Sequence, residues 1–96
     1  VLAVAMDVSG GSAIMKMNLD DQKMDTVIAK TDIVYSYPRF SKNDQGFYVV
    51  ERKKNGDMGI FWNNISGQQS REILRHTNRI IGFLQIQGDT LLFSTT

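Results

Sequence analysis

Apolar residues in this chain come in short runs, and in most of them they alternate with polar ones. The runs Leu2–Met6, Ser12–Leu19, Thr26–Ala29, Ile33–Phe40, Phe47–Arg52, Gly59–Ile65, Glu72–Arg75, Arg79–Gln87 and Thr90–Ser94 are rich in Val, Ile, Phe and Tyr, and they predict strands. Between them stand Ser9-Gly10-Gly11, Asn43-Asp44-Gln45-Gly46, Asn55-Gly56-Asp57 and Ser66-Gly67, residues that accept positive φ or cap a tight turn with a side chain. Turn signals recurring roughly every ten residues predict an all-β fold of antiparallel strands. Phe47-Tyr48-Val49-Val50 and Leu91-Leu92-Phe93 are apolar at consecutive positions, so both are expected to be covered on two faces by other layers. A helix competes for one stretch, because Ile73, Leu74, Ile80, Ile81 and Leu84 also fit a helical stripe from Ser70 to Gln85. Gly82 and the β-branched isoleucines favour strand there.

The chain also repeats itself. An offset of 46 pairs Gly10 with Gly56, Ile14 with Ile60, Asn18 with Asn64, Gln22 with Gln68 and Thr31 with Thr77, without a gap. Apolar positions fall on apolar positions in between: Leu19 on Ile65, Val27 on Ile73, Ile28 on Leu74, Val34 on Ile80, Tyr37 on Phe83 and Phe40 on Ile86. A unit of this length is a supersecondary motif that buries its apolar face against the next copy. The alignment also supports strand in the disputed stretch, since Thr77–Phe83 falls on Thr31–Tyr37, where Ile33-Val34-Tyr35 precedes Pro38.

Composition narrows the class. With 42% hydrophobic residues, one Pro and eight Gly in 96, the chain is expected to fold rather than stay disordered. A domain of this size buries only about 60% of its unfolded surface, and without Cys no disulfide supplements the core. A partner or a larger parent chain is therefore expected, and the opening Val1-Leu2-Ala3-Val4-Ala5, without an initiator Met, reads as the inside of a strand in an excerpt. The net charge is +1, and its densest run, Arg52-Lys53-Lys54, leads straight into a turn. The broad basic stripe of a nucleic-acid surface is missing, so no direct nucleic-acid contact is expected. Nor is there an apolar run of 18 residues, so membrane contact is expected only through a parent chain.

Phe40-Ser41, Asn43-Asp44-Gln45-Gly46, Phe47-Tyr48-Val49-Val50, Asn55-Gly56-Asp57-Met58-Gly59-Ile60-Phe61, Ile65-Ser66-Gly67 and Ile73-Leu74, in that order, resemble the TolB-type β-propeller repeat. That repeat reads Phe-Ser-Pro-Asp-Gly, an apolar strand, a Gly-Asn/Asp hairpin, Ile-Tyr, and a Thr-Gly turn before a final Leu-Thr. Here Lys42 replaces the Pro, Gln45 is an extra residue before Gly46, and Asp89 marks a shortened second turn. The resemblance covers one repeat, Ile33–Arg75, with partial copies on either side. It implies antiparallel four-stranded propeller-like blades, about two of them: a partial blade over 1–30, a full one over 31–76 and a partial one over 77–96. The alternative is an open two-sheet packing of the same strands. Nine strands are too few to close a propeller, which leaves edges for another chain or for self-association.

Residues for catalysis are sparse. His76 is the sole histidine and is expected in a solvated turn, as are Asp20, Asp21 and Asp25, which lack the spacing of a calcium loop. No nucleophile elbow, zinc-binding helix or phosphate loop occurs, so no catalytic, cofactor or metal site is expected, and no enzyme. The candidate partner-binding residues are Trp62, Tyr37 and Arg39. Lys16 is the counterpart of Trp62 one repeat earlier, so that strand face is expected to be partly wet, and an exposed Trp marks interfaces. Burial of Trp62 beside Phe61 is the other reading. Tyr35, Tyr37 and Arg39 alternate and are expected on one face of their strand.

What the resemblance implies for function is a non-catalytic protein-interaction or sensing module, periplasmic or extracytoplasmic, in a larger protein such as a membrane-anchored winged-helix transcriptional regulator. An accessory propeller segment that gates substrate access to a serine peptidase is the alternative. Fold by itself does not choose between them.

Overall fold

The computed structural model describes residues 2–8, 11–41, 45–66 and 69–96. Its strands are β1 (Leu2–Val8), β2 (Gly11–Met17), β3 (Met24–Thr31), β4 (Val34–Phe40), β5 (Gly46–Arg52), β6 (Met58–Asn64), β7 (Ser70–Thr77), β8 (Ile81–Gln87) and β9 (Thr90–Thr95). Each pairs antiparallel with its chain neighbour inside three sheets, ordered β1-β2-β3, β4-β5-β6-β7 and β8-β9. The protein is all-β, and the sheets do not close into a barrel. The stretch from Ser70 to Gln85 is strand, bend and strand, which rules out the helical alternative.

Turn chemistry explains the strand ends that are described. At Asn55-Gly56-Asp57 the Asn55 side chain accepts the Asp57 N–H at 2.9 Å, and Gly56 takes φ +95°, a left-handed position open to glycine at no steric cost. Leu19, expected to end a strand, lies 64% exposed in a turn closed by Gln22 N–H on the Asn18 carbonyl at 2.7 Å. The turns expected at Ser9-Gly10-Gly11, Asn43-Asp44-Gln45-Gly46 and Ser66-Gly67 fall partly outside the described residues.

The repeat of 46 residues is built into the pairing. In the first sheet Ser12, Ile14, Met15, Lys16 and Met17 oppose Thr31, Ile28, Thr26, Asp25 and Met24. In the second sheet Met58, Ile60, Phe61, Trp62 and Asn63 oppose Thr77, Leu74, Glu72, Arg71 and Ser70, each number raised by 46. Both copies break register at the same two steps, on either side of Ile14 and of Ile60. A bulge inserts a residue and bends its strand, so the two copies share their bends as well as their apolar positions.

Opposed residues share a sheet face, so these registers sort the side chains of the second sheet. One face carries Tyr35, Phe47, Val49 and Phe61, the other Val50, Ile60, Tyr48 and Trp62. Phe47, Val49 and Tyr35 pack with Ile14 and Val27 of the first sheet. Val50 and Ile60 pack with Ile81 and Leu84 of the third. Burying each such aliphatic or phenyl group contributes about 1.5–3 kcal/mol. The second sheet is thus a middle layer with a core on both sides, as the consecutive apolar residues at Phe47–Val50 predict. The same expectation for Leu91-Leu92-Phe93 is not met, because Leu92 and Phe93 remain 42% and 39% exposed. The first and second sheets are also tied by a polar contact: the buried Ser12 hydroxyl donates to the Ile33 carbonyl at 3.2 Å and accepts the Tyr35 N–H at 2.7 Å.

Close approach of β6 to the bulged β7 depends on Gly59, where a Cβ would stand 2.7 Å from the Leu74 carbonyl oxygen. Gly59→Ala is expected to cost about 1–3 kcal/mol through backbone displacement, seen as a lower urea midpoint at unchanged slope. Gly56→Ala, with nothing within 4 Å of its added Cβ, is expected to cost only the left-handed backbone penalty of roughly 1 kcal/mol. A larger loss at Gly56→Ala than at Gly59→Ala would contradict this packing of β6 on β7.

Candidate functional site

The face of the second sheet that looks toward β8 and β9 carries a row of four residues, one from each strand. Arg39 opposes Tyr48, Tyr48 opposes Trp62, and Trp62 opposes Arg71. The row therefore reads arginine, tyrosine, tryptophan, arginine across the sheet. The Arg71 guanidinium lies 5.4 Å from the centre of the Trp62 ring, within range of a cation–π contact. The indole lies close over Gly46, where a side chain would collide with it, so glycine at the start of β5 leaves room for the ring.

Above this row lies a groove of about 590 Å³. Ser41, Tyr48, Trp62 and Arg71 line it from the second sheet and its flank, and Ile86, Gly88, Asp89, Thr90 and Leu91 line it from the end of the β8–β9 hairpin. The groove lies beside the third sheet, which has two strands among the described residues. Ile81 and Leu84 of β8 reach the core, while β9 stands further out with Phe93 uncovered.

Of the residues expected to bind a partner, Trp62 lies in the groove and is half-buried. Phe61 does not bury it, since Phe61 faces the other side and packs against His76 with ring centres 5.0 Å apart. Tyr37 and Arg39 come together outside the groove lining, the guanidinium 5.8 Å from the Tyr37 ring and donating to the Pro38 carbonyl at 3.0 Å. The single face expected for Tyr35, Tyr37 and Arg39 is broken by a bulge. Between Ser36 and Arg39 the strand β4 spends three steps against two on β5, and Tyr37 takes φ +54°. Tyr35 is consequently buried against the first sheet, Tyr37 is exposed, and Arg39 joins the row on the opposite face. Phe83, the counterpart of Tyr37 by the offset of 46, lies in the corresponding irregular step of β8 and is likewise exposed. Tyr48 and Arg71 escape a reading of the sequence alone. The repeat carries the signal for Arg71, because it pairs with Trp62 as Asp25 pairs with Lys16.

The other face holds an acid–base contact. His76, expected in a solvated turn, lies in β7 with its Nε2 3.4 Å from Glu51 Oε1, both side chains nearly buried. The contact is too poorly aligned for a hydrogen bond, and Nε2 has no other hydrogen-bond partner among the described residues. Burial raises the Glu51 carboxyl above its ordinary 4.5, with Lys53 opposing the shift. Burial also lowers the His76 imidazole below its ordinary 6.5, helped by Lys53 and opposed by Glu72 and Asp57. Both groups are thus driven toward their neutral forms. Among the described residues, no three His, Asp or Glu side chains gather closely enough to hold a metal ion. Neither family models, curated proteins nor solved structures offer a match to this chain.

A depressed imidazole withholds stability as pH falls below 6.5, and a raised carboxyl withholds it as pH rises above 4.5. Relative to wild type, His76→Asn is expected to gain stability progressively as pH is lowered through 6.5, and Glu51→Gln as pH is raised through 4.5. Urea midpoints measured across that range check both. Losses that peak between the two values would instead mean a charged pair.

Proposed function

We propose that this chain is a non-catalytic protein-interaction module of propeller-like layers, with the β9 edge as its strand-accepting surface. The observation that carries the reading is the character of the sheet edges. β4 is guarded by Pro38 and its bulge, and β7 by Arg71, Glu72, Arg75 and two register breaks. The β9 edge, Thr90-Leu91-Leu92-Phe93-Ser94-Thr95, has no charge and no proline, and no further strand pairs with it among the described residues. Its row of backbone groups beside exposed Leu92 and Phe93 is what strand addition uses. The complete sheet has four strands and the third has two, so one added hairpin would match them.

The TolB-like repeat grammar supports placing the module outside the cytoplasm in a larger protein, with a membrane-anchored regulator or a peptidase-associated segment as settings. A non-catalytic role fits the position of the Glu51–His76 contact, which lies on the face away from the groove.

Amide hydrogen exchange with sedimentation velocity tests the reading. The β9 amides are expected to exchange much faster than those of β5 in dilute monomer, and to gain protection as concentration drives association. Leu92→Lys, which charges the edge, is expected to keep β9 unprotected at every concentration. A monomer whose β9 amides are already as protected as those of β5 would contradict the open edge.

A further inference from the structure

The joints between successive sheets follow the repeat. Ser12 and Met58 are 46 residues apart, as are Tyr35 and Ile81. At the first joint the Ser12 hydroxyl accepts the Tyr35 N–H at 2.7 Å, and at the second the Met58 Sδ accepts the Ile81 N–H at 3.4 Å. One side-chain position thus receives one backbone donor of the next sheet in both copies, through oxygen in the first and through a thioether in the second. We propose that Met58 is a reversible oxidation site: a two-electron oxidant of the peroxide class converts its thioether to the sulfoxide, and the β8–β9 hairpin loosens from the second sheet.

Three observations point to this site. First, the second joint has the weaker polar tie. The Ser12 hydroxyl also donates to the Ile33 carbonyl at 3.2 Å, whereas a thioether has no proton to give and is a weak acceptor. Second, the sulfur has no room for an oxygen where it stands. An N–H···O bond takes up about 2.9 Å, and the 3.4 Å from Sδ to the Ile81 nitrogen cannot also hold an S–O bond. The new oxygen therefore turns into the cluster of Val50, Ile60, Ile81 and Leu84, on which Met58 packs, or pushes β8 away. Either outcome separates the hairpin from the sheet. Third, an oxidant can reach the sulfur, because Met58 is half-buried just after the exposed turn at Asn55-Gly56. The chain has five Met and no Cys, so thioethers are its only oxidisable sulfur. Met15 bonds the Thr26 hydroxyl within the first sheet and Met24 lies 43% exposed there, so neither bears on this joint.

In the reaction a sulfur lone pair attacks one peroxide oxygen, the O–O bond breaks and an S–O bond forms. The proton of the attacked oxygen moves to the other, which leaves as water. Sulfur is oxidised by two electrons and the peroxide is reduced, and a thiol-dependent reductase returns the sulfoxide to the thioether.

The full chain is treated with hydrogen peroxide, each methionine is scored by peptide mass, and amide exchange and Overhauser contacts are followed. Met58 is expected to gain one oxygen, and the Ile81 amide to exchange about tenfold faster. Contacts of Ile81 and Leu84 with Val50 and Ile60 are expected to weaken, while those of Ile14 and Val27 with Phe47 persist. Methionine sulfoxide reductases with dithiothreitol are expected to reverse both changes. Met58→Leu, a swap of similar volume, is expected to fold with an Ile81 amide that peroxide no longer affects. Met58 left as a thioether under conditions that convert Met24 would overturn the site. A Met58 sulfoxide with unchanged Ile81 exchange would overturn the loosening, and so would a Met58→Leu chain that still loosens under peroxide.

Discussion

Burial of β5 on both faces is the constraint from which the rest of the structure follows. Phe47 and Val49 point one way and Val50 the other, and all three are fully buried. An exposed strand with this pattern would leave a wide apolar surface in water, so the sheet containing it needs a layer on each side. The first sheet supplies one through Ile14 and Val27, and β8 supplies the other through Ile81 and Leu84. The first cover ties itself down with the Ser12 contacts to Ile33 and Tyr35. The second is the β8–β9 hairpin, whose end lines the groove over Trp62.

Much of this was legible in the sequence, for physical reasons that differ from element to element. Strand positions follow from two-residue alternation and from turn residues such as Asn55-Gly56-Asp57, where side-chain and backbone bonds are local. The offset of 46 carried more than strand positions, because Ile14 and Ile60 sit between equivalent bulges and both are fully buried. Illegible features were those set by register at a distance. Alternation places Tyr35, Tyr37 and Arg39 together, but one inserted residue in β4 separates the buried Tyr35 from Tyr37 and Arg39, which are exposed side by side. His76 followed Arg75 in an apparent turn, and only the extension of β7 to Thr77 brings it against Glu51 and Phe61.

The site shows the same division. Trp62 stood out because its counterpart is Lys16, a substitution that breaks the apolar correspondence of the repeat. Its neighbours Tyr48 and Arg71 become visible only when three strands are set side by side. A cross-strand row is a property of pairing, and pairing depends on turns as well as on composition. The arginines at the ends of the row and the glutamates on the opposite face make the middle sheet electrostatically two-sided.

Nuclear Overhauser contacts among core methyl and aromatic protons test the two-sided burial of β5 most directly. Contacts of Phe47 and Val49 with Ile14 and Val27 are expected together with contacts of Val50 and Ile60 with Ile81 and Leu84. A spectrum with the first set and without the second would leave one face of the middle sheet uncovered and contradict the layered core.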